Sequence, residues 1–182
     1  MQKLKDPRVL TICAMLAALA TVFGLFKVPV NQFVEFRFAF LPISAAGAMF
    51  GPGVGAIIGA MGDVLGYLVK PTGPFFPGFT ISSAISGLIY GLLLYKKPLT
   101  VPRVIITQFI QTIVYSLLLN TLNLTILYNT PFMASLITRL PQNAVMFPIN
   151  TVLLYLILKG IQQVSKQFMP MEVEHKQVEA KN

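Results

Sequence analysis

Carboxylates, histidine and cysteine are scarce in this chain: Asp and Glu number 6 against 14 Lys and Arg, with one histidine and one cysteine. Each shortage closes a class of chemistry. Cys13 has no partner for an internal disulfide, and in an apolar run beside Ala14 it reads as helix packing. The one histidine, His175, lies in a polar tail, so a serine or cysteine nucleophile has no base within reach. One Cys, one remote His and one carboxylate among the apolar runs do not make a metal ligand set. An intramembrane aspartyl protease needs two carboxylates, one as base and one as acid, yet Asp63 alone lies inside an apolar run. Ala60 also stands where a Gly-x-Gly-Asp motif needs glycine. The glycine-rich run from Gly51 to Gly66 lacks the Gly-Lys-Ser/Thr ending of a phosphate loop. The chain therefore reads as a non-enzyme, and no cofactor is implied.

What the chain does have is apolar length. Of its 182 residues 55% are hydrophobic and 11% charged, and its mean hydropathy is +0.72. A spanning helix needs about 20 mostly apolar residues, and roughly six such windows are present. The expected fold class is an all-α membrane protein of six transmembrane helices. The spans are placed at Val9–Phe26, Arg37–Phe50, Pro52–Val69, Phe79–Tyr95, Val104–Leu127 and Pro131–Ile161, the last interrupted by Pro141 and Pro148. Residues 1–8 form an N-terminal segment, 9–164 one membrane domain, and 165–182 a polar, disordered tail. The first span is too long for a signal peptide and lacks a clear cleavage site, so it reads as retained.

The net charge of +8 does not point to nucleic acid, because the basic residues form no single face and carry no binding signature. Their placement follows a bilayer instead. Six spans put both termini on one side with Lys3, Lys5, Arg8, Lys96, Lys97, Arg103, Lys159 and Lys166, and the positive-inside rule makes that side cytoplasmic.

The other side keeps Lys27, Arg37, Lys70 and Arg139. These cations either snorkel to headgroups or serve a site. Asp63 is costly inside a span unless it faces a cavity or a partner; it is a site candidate, or else half of an ion pair with Arg37 or Arg139. Asn120 and Asn123 lie three apart, and Arg139 and Asn143 four apart, so each pair shares a helix face. Membrane amides can simply join helices, but with Arg139, Asn143 and Asp63 nearby a polar pocket is the more economical reading. Guanidinium donors suit carboxylates, the acid and amides suit a hydrogen-bonding heterocycle, and Tyr67, Phe75, Phe76 and Phe79 offer stacking faces. The implied ligand is flat, polar and anionic. Gly51, Gly55 and Gly59 recur every four residues, as do Gly62 and Gly66, which reads as close helix packing. Ala14 and Ala18 give helix 1 a small face for internal packing or for a partner helix.

Three stretches carry a family likeness: 37–43 (RFAFLPI); 62–66 (GDVLG) with 71–80 (PTGPFFPGFT); and 120–128 (NTLNLTILY) with Pro131-Phe132 and 139–143 (RLPQN). They resemble the substrate-binding S components of energy-coupling factor (ECF) transporters, and most of all the folate-specific branch. The likeness spans about Leu10 to Lys159. It implies a six-helix vitamin binder in a prokaryotic plasma membrane, its outward site closed by the loops between helices 1 and 2, 3 and 4, and 5 and 6. It further implies that Ala14 and Ala18 dock on a transmembrane coupling subunit driven by two separate ATPases. Carried onto this sequence, it puts Arg37, Arg139 and Lys70 near the glutamate carboxylates of folate and Asp63 and Asn143 near the pterin edge. Phe79 or Tyr67 then lies against the pterin face, and Thr72, Asn120, Asn123 and Tyr128 complete the candidate set. The chain departs from that branch in having no tryptophan near Asn123 and no lysine near Gln142. Another vitamin of the same family, such as riboflavin, pantothenate or a queuosine precursor, and a ligand-free membrane scaffold remain alternatives.

Overall fold

The computed structural model describes residues 7–25, 27–31, 34–71, 75–97, 99–128 and 131–168. Helix α1 (Pro7–Leu25) leads into an antiparallel ribbon of β1 (Lys27–Asn31) and β2 (Val34–Arg37). Then follow α2 (Phe40–Phe50), α3 (Pro52–Val69), α4 (Pro77–Leu94), α5 (Val101–Gln111), a π-helical stretch (Thr112–Leu119), α6 (Asn120–Tyr128) and α7 (Phe132–Phe168). The fold is helical, as the apolar windows imply.

The breaks come from local chemistry. Pro52 and Pro77 open α3 and α4, where the missing N–H of proline has no helical partner to lose. Gly51 turns the chain between α2 and α3 with φ +101°, a conformation that glycine alone adopts without strain. The second helix begins at Phe40 rather than at the expected Arg37, because residues 34–37 pair with β1: Arg37 lies opposite Lys27 and Phe36 opposite Val28. Alternation of Val and Phe with polar residues favours a strand there. The last helix runs unbroken through Pro141 and Pro148 to Phe168. Proline within a membrane helix is tolerated where the freed carbonyls find other partners, so the expected interruption does not occur.

α2, α3 and α4 are packed almost backbone to backbone. A Cβ placed on Gly55 would come 2.5 Å from the Gly87 carbonyl oxygen, and one on Gly59 or Gly87 would strike the facing backbone. Without a hydrophobic drive between helices in lipid, such contact supplies the cohesion. One buried core gathers Ile43, Tyr90, Val104, Leu154 and Leu158, and a second packs Cys13 and Ala17 against Ala46 and Ile58.

The outer surface is apolar, with Leu68, Ile126, Met133 and Ile137 exposed. Four helical stretches, Pro52–Val69, Pro77–Leu94, Val101–Leu127 and Ser135–Gln163, are long and apolar enough to cross a bilayer. Val9–Leu25 and Phe40–Phe50 are apolar but shorter. An exposed apolar surface of this extent defines a membrane protein. Taking α5, the π stretch and α6 as one rod, successive rods alternate in direction, with Gly24 facing Ala39, Gly55 facing Gly87, Tyr90 meeting Gln108 and Ser116 meeting Asn143, so the ribbon, the α3 and α6 C-termini and the α4 and α7 N-termini share one end. The turn at Gly51, the α4–α5 connection and α1's start share the other.

Candidate functional site

A cavity of about 620 Å³ opens between the helices, walled by α1, α2, α3, α4, the α5–π–α6 rod and α7. Its walls follow helical periodicity. Asp63, Gly66, Tyr67 and Lys70 form the α3 wall, and Phe79, Ser83, Ser86 and Tyr90 form the α4 wall. From Arg139 the α7 wall runs through Gln142, Asn143 and Met146 to Asn150. From Phe79 to Tyr90 is eleven residue steps, a depth of about 16 Å along α4.

The fourth wall has a different winding. Gln108, Thr112, Ser116, Asn120 and Leu124, every fourth residue, all line the cavity. In a regular α-helix such a row drifts by about 40° per step, about 160° over four steps, which would carry its end to the far side. The π-helical turns of Thr112–Leu119 hold more residues each, so the row drifts less. The π stretch thus keeps one polar lane on the cavity.

At the mouth, the Tyr67 and Phe75 rings pack tilted with centroids 5.1 Å apart, and Phe76 meets Phe79 edge-on at 6.0 Å. Lys70 and Arg139 border the same cavity. Further in, the Thr80 hydroxyl donates to Asp63 Oδ2 at 2.9 Å. Ser116 Oγ donates to Asn143 Oδ1 at 2.7 Å, while Asn143 Nδ2 donates to the Arg139 carbonyl at 2.9 Å. Both side chains are therefore oriented before any ligand arrives. At the inner end the Tyr90 hydroxyl faces Gln108 Oε1 at 3.4 Å, and Gln111 Nε2 donates to Ser86 Oγ.

The structure brings seven of the sequence candidates to one cavity: Asp63, Tyr67, Lys70, Phe79, Asn120, Arg139 and Asn143. Asn123 is placed elsewhere, its amide donating to Ser82 Oγ at 2.8 Å in the buried α4–α6 contact. Arg37 ends β2 and Tyr128 ends α6. Thr72 lies outside the described residues. Ala14 and Ala18 are exposed on the outer face of α1, while Cys13 and Ala17 on its other face are buried. Sequence reasoning missed the inner residues Ser86, Tyr90, Gln108, Gln111, Thr112 and Ser116. For Gln108, Thr112 and Ser116 the signal was a polar residue at every fourth position from Gln108 to Asn120; Ser86, Tyr90 and Gln111 fall outside that row.

Chemically, the cavity offers cations at its mouth, an oriented carboxylate and amide midway, and hydroxyls and amides inside. Fold and site together define a membrane-embedded receptor for a small polar solute. The sequence profile described as "ECF transporter, substrate-specific component" matches residues 8–158, and the chain belongs to that family. It is 36% identical over 152 residues to "Folate transporter FolT" of Clostridium novyi (strain NT), covering 84% of this chain and 88% of that one. A "Folate transporter FolT" of Leuconostoc mesenteroides subsp. mesenteroides is 33% identical over 161 residues, covering 85% and 86%. The solved structure "Crystal structure of FolT bound with folic acid" matches with a TM-score of 0.76 at 32% identity, covering 82% of this chain and 92% of that chain.

Proposed function

We propose that this chain is the folate-binding subunit of an ECF-type importer. The observation that carries the reading is the single cavity in which Lys70 and Arg139 at the mouth join Asp63 and Asn143 midway. Folate pairs a hydrogen-bonding heterocycle with a dicarboxylate tail, and this arrangement complements both ends. Arg139 and Lys70, with Arg37 at the end of β2, hold the tail carboxylates through charge-assisted hydrogen bonds. Asp63, held by Thr80, accepts N–H donors from the pterin edge, and Asn143, held by Ser116, takes a second edge contact. Tyr67 and Phe79 pack on the ring face. Similarity to two FolT proteins and to a FolT bound with folic acid supports the same cargo.

In this reading six spans cross the plasma membrane of a prokaryote with both termini in the cytoplasm, and the cavity opens to the outside. Lys96, Lys97, Arg103 and Lys159 then lie at the cytoplasmic end, as the positive-inside rule requires. Ala14 and Ala18 offer α1's exposed small face to a transmembrane coupling subunit, and two ATPase subunits supply the energy. Calorimetric titration of the purified full chain with folic acid tests the reading. Saturable one-to-one binding is expected, weakened about 10-fold or more in Arg139→Ala, because a hydrogen bond to a charged group contributes about 1.5–3 kcal/mol. Absence of folic acid binding by the folded wild-type chain refutes the specificity.

A further inference from the structure

Most of the glycines in the bundle are explained by what faces them. A Cβ on Gly59 would strike the Ser83 backbone, one on Gly62 would come 3.0 Å from Ala20 Cβ, and one on Gly24 would already touch Ala39 Cβ at 4.0 Å. Gly66 is different. It sits inside α3 on the cavity wall, its φ is not positive, and a Cβ there would meet nothing within 4 Å. Glycine within a helix weakens it relative to alanine, so neither packing nor backbone geometry accounts for this residue.

Its position suggests what does. Gly66 lies three residues after Asp63 on the same face of α3, and Lys70 caps the helix four residues further on; all three line the cavity. Beside it stands Tyr67, whose ring packs against Phe75. α3 and its C-cap thus present a carboxylate, a gap one side chain wide, and a cation, with about 10 Å along the axis from the first to the last.

We propose that Gly66 is a specificity-determining residue: its bare backbone is the notch in which the ligand's flat ring lies, edge toward Asp63 and anionic end toward Lys70. The ligand class is a planar heterocycle carrying an anionic substituent on an arm long enough to bridge that interval. A larger residue at 66 fills the space the ring needs while leaving the protein folded. This deepens the folate reading and rests on it for the ligand's name, but not for the notch.

The test uses the full chain in lipid nanodiscs, with a thermal-shift panel of folic acid, riboflavin and pantothenate followed by calorimetry on whichever compound stabilises the wild type. Gly66→Ala is expected to raise the unliganded Tm by about 1–4 °C, as a better helix former with no clash. It is also expected to weaken binding at least about 10-fold, and Gly66→Leu to abolish it. Gly160→Ala is the control: it sits on α7 away from this cavity, its added Cβ likewise meets nothing within 4 Å, and it should stabilise without changing affinity. A Gly66→Ala chain that binds as the wild type does overturns the proposal, as does one whose unliganded Tm falls. If the stabilising compound is riboflavin or pantothenate, the folate reading fails while the notch is judged on that compound. If none of the three stabilises the wild type, both fall.

Discussion

Asp63→Asn separates a binding carboxylate from a structural one. Asparagine keeps the shape and still accepts from Thr80, whose hydroxyl now reaches Asp63 Oδ2 at 2.9 Å. The substitution exchanges one acceptor oxygen for an N–H donor, which would face the ligand's own N–H groups. Losing a hydrogen bond to a charged acceptor costs about 1.5–3 kcal/mol, which is roughly a 10- to 150-fold rise in Kd. The unliganded protein should behave in the opposite way. An ionised carboxylate deep in a bilayer carries a penalty of about 2.5–3.5 kcal/mol at a helix centre, reduced here because Asp63 faces a polar cavity. Neutralising it should therefore leave the unliganded Tm unchanged or raise it. Calorimetric titration with folic acid and a melting curve without ligand read the two effects separately. A Tm that falls while the affinity stays within about 3-fold of the wild type refutes the reasoning and assigns Asp63 a structural ion pair.

Other substitutions probe the frame around that carboxylate. Ser116→Ala releases the Asn143 amide from its 2.7 Å hydrogen bond; a neutral bond contributes about 0.5–1.5 kcal/mol, so folic acid affinity should drop about 2- to 10-fold and recover in Ser116→Thr, as calorimetry would read. Asn123→Ala, which removes the Ser82 tie, should lower the Tm through a loss of about 1 kcal/mol and leave affinity within about 3-fold. Gly87→Val places side-chain atoms into the Gly55 backbone and should destabilise by about 1–3 kcal/mol or more; a melting curve that does not shift would contradict the backbone-to-backbone packing of α3 on α4.

What the sequence made legible was whatever stood against a uniform background. Pro52 and the Lys70-Pro71 pair bracket α3 so sharply that its expected and observed bounds coincide. Asp63 was legible because a lone acid in an apolar run has few reasons to exist, and Arg139 with Asn143 because they recur at helical spacing. Arg37 misled because the apolar residues 38–40 run straight into α2, while the pairing of residues 34–37 with β1 is not written in their local pattern. Pro141 and Pro148 misled because helix-breaking rules learned in water weaken in lipid. The inner half of the cavity went unread for a geometric reason. A polar residue at every fourth position drifts off any one face of a 3.6-residue helix, and only the π stretch of Thr112–Leu119 returns Ser116 and Asn120 to the side of Gln108. Asn120 and Asn123 share a face by spacing, yet Asn120 lines the cavity while Asn123 donates to Ser82 on α4.

The central claim is that this cavity is a folate site. Competitive binding to the purified chain measures it most directly, with labelled folic acid displaced by unlabelled folic acid, by riboflavin or by pantothenate. Displacement by folic acid alone is expected, with loss of labelled binding in Asp63→Asn. Displacement by riboflavin or pantothenate at similar concentrations, or labelled binding that survives in Asp63→Asn unchanged, would contradict it.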